Sequence, residues 1–133
     1  MTCPCCSGVD YKVCCEPFIL GEETAPTAEK LMRSRYTAFA VKAYDYLEET
    51  LDPQTVTGFD HAGNREWGDS VKFVKLEIIS AEEIKNKAVV EFKAYFIKDD
   101  VELTHHEVSK FRQQGGVWYF REGRVQGQNQ PQT

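Results

Sequence analysis

All five cysteines of this 133-residue chain fall within its first fifteen positions, and that crowding constrains how the rest can be arranged. Cys3, Cys5 and Cys6 form one group and Cys14 and Cys15 another, joined by a Ser-Gly-Val-Asp-Tyr-Lys-Val connector. Four thiolates gathered from two such groups suit one tetrahedral Zn²⁺ with Zn–S bonds of about 2.3 Å. Gly8 lies where a thiolate-bearing turn needs a positive φ or a close approach of backbone N–H groups to sulfur. A disulfide framework fits less well. The cysteine count is odd, adjacent residues such as Cys14 and Cys15 bridge each other poorly, and no secretory signal precedes them. A redox pair fits less well too, because a Cys-x-x-Cys run occurs only as Cys3 to Cys6, outside a strand–helix setting. Four protein thiolates leave no open coordination position, so the expected zinc is structural. The residues alone leave Cys5 and Cys6 competing for the second ligand position.

This stretch resembles the SEC-C zinc motif, on Cys3, Pro4, Cys5, Ser7, Gly8, Tyr11, Lys12, Cys14 and Cys15. Cys6 stands where the motif has glycine. The resemblance implies Cys3, Cys5, Cys14 and Cys15 as the zinc ligands. It also implies a protein partner docked on the knuckle, since a similar SEC-C tail of the translocation ATPase contacts a chaperone.

A chain of this length can bury one ordinary core, so one main domain with a small appendage is expected. The formal net charge is −5, and four bound thiolates with one Zn²⁺ would take it to about −7. That is the wrong sign for a general nucleic-acid binder. No apolar run approaches the roughly 18 residues of a membrane span. Metal-binding cysteines kept reduced, with no export signal ahead of them, point to the cytoplasm.

Pro17, Gly21 and Pro26 exclude a continuous helix over residues 16–26, where Phe18, Ile19 and Leu20 are expected to pin the knuckle to the main domain. Thr27 can cap a helix, with Glu29 in its first turn. Leu31, Met32, Tyr36, Phe39, Ala40, Ala43 and Leu47 then form a helical stripe, with room for a break near residues 42–44 and a stop at Leu51-Asp52-Pro53. Residues 53–70 fit a short helix or an irregular lid. From Val71 the period becomes two. Val74, Leu76 and Ile78 share one face; Val90, Phe92, Ala94 and Phe96 do so in the next segment; Leu103, His105, Glu107, Ser109 and Phe111 do so in the third. Turns at 85–87, Asp99-Asp100 and Gly115-Gly116 separate four strands, a meander. Helices followed by strands predict an α+β fold in which a curved sheet covers the helical stripe and leaves a cone with a pocket. The expected boundaries are a zinc knuckle over 1–16, the α+β domain over 17–122 and a polar, frayed tail over 123–133.

Leu31-Met32-Arg33-Ser34-Arg35-Tyr36-Thr37-Ala38-Phe39, Tyr46-Leu47, Thr50, His106-Glu107, Ser109, Phe111 and Gly116-Val117-Trp118-Tyr119 resemble the YchJ-like family over nearly the whole chain. That resemblance implies a SEC-C knuckle followed by a nuclear-transport-factor-2-like cone, and it implies no settled activity. Val108 departs from the family's habit of an arginine after His-Glu.

Within the cone the candidate residues for chemistry are Arg35, His105 and Glu107. Arg35 sits beside Leu31 and Phe39 at the edge of the helical stripe. It reads either as an anion clamp or as a snorkelling side chain whose head pairs with a carboxylate. His105 and Glu107 share a strand face, whereas His106 and Glu107 cannot act as one dyad because neighbours on a strand point oppositely. The plainer reading of these residues is a cross-strand surface pair. If they line an apolar pocket, acid–base chemistry of an isomerase or dehydratase kind becomes open to them. Trp67, Trp118, Tyr95, Phe92 and Phe96 are expected in the core. No phosphate loop, nucleophile elbow or His-Glu-x-x-His occurs. The leading expectation is therefore a non-catalytic zinc protein whose knuckle docks on a protein and whose cone holds a small ligand. A pocket containing His or carboxylate would favour the enzyme alternative, and a filled cone with an exposed patch at Tyr11 and Phe18 would favour docking. Val89, Tyr95 and Ile97 leave the other sheet face open to a homodimer. Chelation is expected to unfold residues 1–16 and spare the cone.

Overall fold

A computed structural model describes residues 1–54 and 58–126. Pro17 lies in the first turn of a four-residue helix, α1 (Glu16–Ile19), where its missing N–H costs nothing. Phe18 and Ile19 pack against the core as expected, but Leu20 does not: it lies beyond the end of α1 and is exposed. Thr27 caps α2 (Ala28–Ala40), its Oγ1 accepting from the Lys30 N–H at 3.1 Å. A left-handed residue, Lys42 (φ 64°), breaks the chain between α2 and α3 (Tyr44–Glu49), so a long helix and a short one share the stripe. Asp60 caps α4 (His61–Ser70), its side chain accepting from Gly63 N–H at 2.9 Å. The segment that fitted helix or lid is thus helical from His61 onward, while residues 55–57 lie outside the described residues.

Four antiparallel strands follow in spatial order β1 (Lys72–Ile84), β2 (Lys87–Lys98), β3 (Val101–Gln114) and β4 (Val117–Val125). Asp99 and Asp100 (φ 52° and 63°) and Gly115 and Gly116 (φ 61° and 80°) make two-residue turns with both centres left-handed. Such turns match the right-handed twist of the strands they join. On β2, Ala88, Val90, Phe92, Ala94 and Phe96 are all buried on the helix side. They pair with Phe111, Ser109, Glu107, His105 and Leu103 of β3, which fixes the inner face of that strand.

Besides a register shift between Ile78 and Ser80, two bulges reset the pattern. One lies between Phe73 and Lys75, so Phe73 turns inward and Val74, expected inside with Leu76 and Ile78, is half exposed. The other lies between Lys110 and Phe111 in the register with β4, and the unpaired β4 residue there is Arg121. It brings Gly123 opposite inward-facing Ser109. β4 continues to Val125, so the ordered sheet reaches past the expected boundary at 122. Residues 127–133 of the expected tail lie outside the described residues.

Of the aromatics expected in the core, Phe92, Phe96 and Trp118 are buried there. Tyr95 is not, because strand alternation puts it on the outer face, where its hydroxyl donates to Glu77 at 2.9 Å. Trp67 belongs to α4 rather than the sheet and packs edge-on against Phe39, Phe73 and Phe96. No described helix is long and apolar enough to cross a membrane.

Candidate functional site

Two sites share α2 as a wall. The first is the cysteine cluster. Gly8 is left-handed (φ 85°), as expected, and the turn it allows lets Cys3 N–H bond to Val9 O at 2.9 Å. Tyr11–Val13 form a single 3₁₀ turn capped by Asp10, which delivers Cys14 and Cys15 to the opposite side. One sulfur from each of Cys3, Cys5, Cys14 and Cys15 lies within 4.8 Å of the others. The Cys5–Cys14 and Cys14–Cys15 separations are 3.7 and 3.9 Å. A tetrahedron with 2.3 Å metal–sulfur bonds has edges of about 3.8 Å, so this geometry fits one thiolate-bound metal ion. Cys6 is outside the group. It is exposed, and its thiol accepts from Leu76 N–H at 3.5 Å.

The thiols also behave as a set. The Cys5 thiol is held down to about 4, foremost by its hydrogen bond with Cys15, and that same bond, followed by burial, pushes Cys15 up. Burial likewise pushes Cys14 up. Cys5 gives up its proton readily while Cys14 and Cys15 hold theirs, the situation a dication resolves by pairing with every thiolate. Around the sulfurs stand groups to which the sequence alone assigned no place beside the metal. Ser7 Oγ lies 3.2 Å from Cys14 Sγ, Thr37 Oγ1 lies 3.7 Å from Cys3 Sγ, and Arg33 Nη1 donates to Cys5 O at 2.8 Å. Arg33 is also paired to Glu29 at 3.0 Å. The signal for Thr37 was available, as a polar residue inside the apolar stripe of α2.

Cys6 has φ 65°, in the left-handed region. Its position is the one where the SEC-C motif has glycine, which adopts that conformation freely. Cys6→Gly is expected to keep the full metal content and leave stability unchanged or raised by up to about 1 kcal/mol, measured by metal analysis and urea unfolding. Loss of metal would show that Cys6 takes part in ligation.

The second site is a pocket of about 440 Å³ between α2, α4 and the inner sheet face. Arg35, His105 and Glu107 all line it, so the structure brings the three sequence candidates together. His105 Nε2 lies 2.7 Å from Glu107 Oε1, and Ser109 Oγ donates to Glu107 Oε2. Gly123 lies beneath that carboxylate, and a Cβ added there would collide with Glu107 Oε2. Arg35 Nη1 donates to Leu47 O at 2.8 Å and to Thr50 Oγ1, and its guanidinium lies 4.6 Å over the Phe120 ring. Burial pushes the Arg35 guanidinium down to about 10, so it remains charged at neutral pH. Asp60, Gly63, Asn64 and Trp67 of α4 complete the wall.

Other titratable residues lie elsewhere. His106 faces the opposite side of the sheet and contacts Glu91 at 2.7 Å. His61 is exposed and pairs with Glu48 at 3.2 Å. Asp45 is exposed at the start of α3.

Burial alone would raise the Glu107 carboxyl. Hydrogen bonds from His105 and Ser109, with the charges of His105 and Arg35, outweigh it and hold Glu107 below its ordinary value of 4.5. Its folded value being the lower one, the stabilisation is complete above 4.5 and is lost as the pH falls through the folded value. Glu107→Gln is expected to flatten the loss of stability between about pH 5 and 3, read as urea midpoints across that range. An unchanged acid limb would mean that other carboxylates govern it. Chemically, an ionised Glu107 fixes the His105 ring through Nε2, as a carboxylate does in a His–carboxylate pair, and Arg35 supplies positive charge toward an oxygen on a bound molecule.

Residues 27–123 match the family described as "YchJ, middle NTF2-like domain". A UPF0225 protein of Geobacter sulfurreducens is 39% identical over 124 residues, covering 91% of this chain and 77% of that one. The UPF0225 protein YchJ of Shigella dysenteriae is 36% identical, covering 97% and 88%. The solution structure of a SEC-C motif containing protein from Rhodopseudomonas palustris superposes with a TM-score of 0.89 at 41% identity, over 96% of this chain and all of that one.

Proposed function

The chain belongs to the YchJ-like family of nuclear-transport-factor-2-like domains, and from that premise we propose that it is a zinc-clipped holder of a small molecule. Cys3, Cys5, Cys14 and Cys15 bind one structural Zn²⁺, which fixes the N-terminal knuckle against α2. The cone receives the small molecule. The observation that carries this reading is the pocket itself, walled by aromatic rings and holding one cluster of polar groups, as ligand sites commonly do. Thiolates that must stay reduced suit the cytoplasm.

Metal analysis of the purified chain is expected to give one zinc per molecule with no visible colour. Iron–sulfur absorbance would refute the zinc assignment. Pocket occupancy is tested with Prodan, an uncharged two-ring dye. The zinc-loaded protein is expected to bind it stoichiometrically, and Ala94→Phe, which puts a ring into the pocket, is expected to abolish uptake while keeping zinc. Equal uptake by both proteins would place the dye elsewhere and count against the pocket.

A second reading concerns the knuckle. Val13 and Leu20 are 73% and 60% exposed beside the cysteine cluster, which favours docking on a protein partner. Val13→Asp is expected to keep zinc and lose partner capture in a pull-down. If the molecule in the cone is turned over, His105 is the group to carry a proton and Arg35 the group to stabilise an oxygen.

A further inference from the structure

We infer, on the reading that the cone holds a small molecule, that its occupant is an uncharged molecule of two to three ring units bearing one hydrogen-bond-accepting oxygen, gripped by Arg35 and Trp67. Size sets the first limit. An apolar cavity of about 150 Å³ takes one benzene, so a pocket of about 440 Å³ takes at most about three such units. The walls set the second. Phe39, Phe73, Phe92, Phe96, Phe120 and Trp67 offer ring surface and little to satisfy a polyol.

Charge sets the third limit. Among the described residues lining the pocket, Arg35 and the imidazolium of His105 stand against the carboxylates of Glu107 and Asp60. A third negative charge from a phosphate or carboxylate ligand would lack a balancing partner. An amine is disfavoured for a different reason, because the buried carboxylate of Glu107 is already engaged. Both Glu107 oxygens are taken by His105 and Ser109, and Asp60 Oδ1 accepts from Gly63.

What remains unmatched is a donor. The indole Nε1 of Trp67 is buried and has no partner among the described residues. Arg35 adds to it, for among the described residues its hydrogen bonds run through Nη1. Buried donors need acceptors, and a carbonyl, ether or amide oxygen supplies one without adding charge.

Three isosteric probes separate the terms: 2-acetylnaphthalene, 2-naphthoate and 2-ethylnaphthalene, titrated calorimetrically into the zinc-loaded full chain. The ketone is expected to bind one site per chain, about tenfold more tightly than either analogue. Trp67→Phe keeps a ring in the wall and removes the donor. It is expected to weaken the ketone by about three- to tenfold and leave 2-ethylnaphthalene unchanged, with zinc content confirming the fold. Arg35→Met provides the second arm and is expected to act on the ketone in the same direction. Naphthoate binding as tightly as the ketone overturns the uncharged class. Equal binding of ketone and ethyl compound overturns the donor argument. Either result leaves a small-molecule pocket standing, whereas binding of none of the three up to their solubility overturns the pocket reading along with this inference.

Discussion

Cys15→Ser is expected to cost the protein its metal and the packing of its cone together, in one transition. Cys15 is 1% exposed, and Cys3, Cys5 and Cys15 belong to the same buried cluster as Leu31, Tyr36 and Leu47 of α2 and α3. Arg33 and Thr37 of α2 and the Leu76 N–H of β1 reach the knuckle directly. This packing replaces the expectation that residues 1–16 melt by themselves. A structural Zn²⁺ is worth roughly 10–16 kcal/mol in isolated zinc-finger peptides, against a total stability of about 5–15 kcal/mol for an ordinary domain. If even about 3 kcal/mol of that is transmitted, the melting temperature falls by roughly 10 °C for a chain of this size. The check is a thermal melt of wild type and variant followed by near-ultraviolet circular dichroism, with zinc release monitored by a chromogenic chelator. Coincident curves in the wild type and a variant that is both metal-free and much less stable are expected. Zinc released well below an intact near-ultraviolet transition would show that the knuckle is an independent unit.

The elements with a strict period were legible in the sequence, and the places where a single residue breaks the period were not. Residues 88–96 alternate without interruption, and their inner face is the observed one. Val74 misled because the bulge beside Phe73 exchanges the faces of that strand end, and a bulge leaves no mark in hydropathy. The bulge at Arg121 was hidden for the same reason, and with it the seat that Gly123 provides for Glu107. The pocket wall of α4 had a usable signal. Asp60, Gly63, Asn64 and Trp67 recur at the spacing of one helical face, but three of them are polar or glycine, so an apolar-stripe search passes over them. His105 and Glu107 could be put on one face from alternation alone, yet whether that face lined a cavity depended on which way the whole sheet turned. The cysteines were the clearest signal because metal ligation imposes residue type and proximity at once. The groups bracing them from α2 come from distant sequence and follow only from packing.

The other large effect is expected at Asp52, outside both sites and joined to the pocket by hydrogen bonds. Its side chain is fully buried. It accepts Arg112 Nε at 2.7 Å and Arg112 Nη2 at 2.8 Å, and its Oδ1 also accepts from Gln54 N–H at 2.9 Å. The backbone on either side is sewn to β4: Asp52 N–H bonds Phe120 O at 2.9 Å, and Phe120 N–H bonds Thr50 O at 2.8 Å. Thr50 and Leu47 hold the Arg35 guanidinium, and Phe120 lies beneath it, so the same short segment fixes the pocket's cation. Asp52→Ala removes a carboxylate that satisfies several donors at once, at a cost of about 3–5 kcal/mol. Asp52→Asn keeps the volume and one acceptor and is expected to lose less. Urea unfolding measures the stability. Titration with 2-acetylnaphthalene measures the pocket, and a loss of affinity in Asp52→Asn while it is still folded is the expected sign that the segment positions Arg35. A cost below about 1 kcal/mol for Asp52→Ala would mean that the pair with Arg112 behaves as an exposed ion pair, and that the α3–β4 backbone bonds hold the pocket without it.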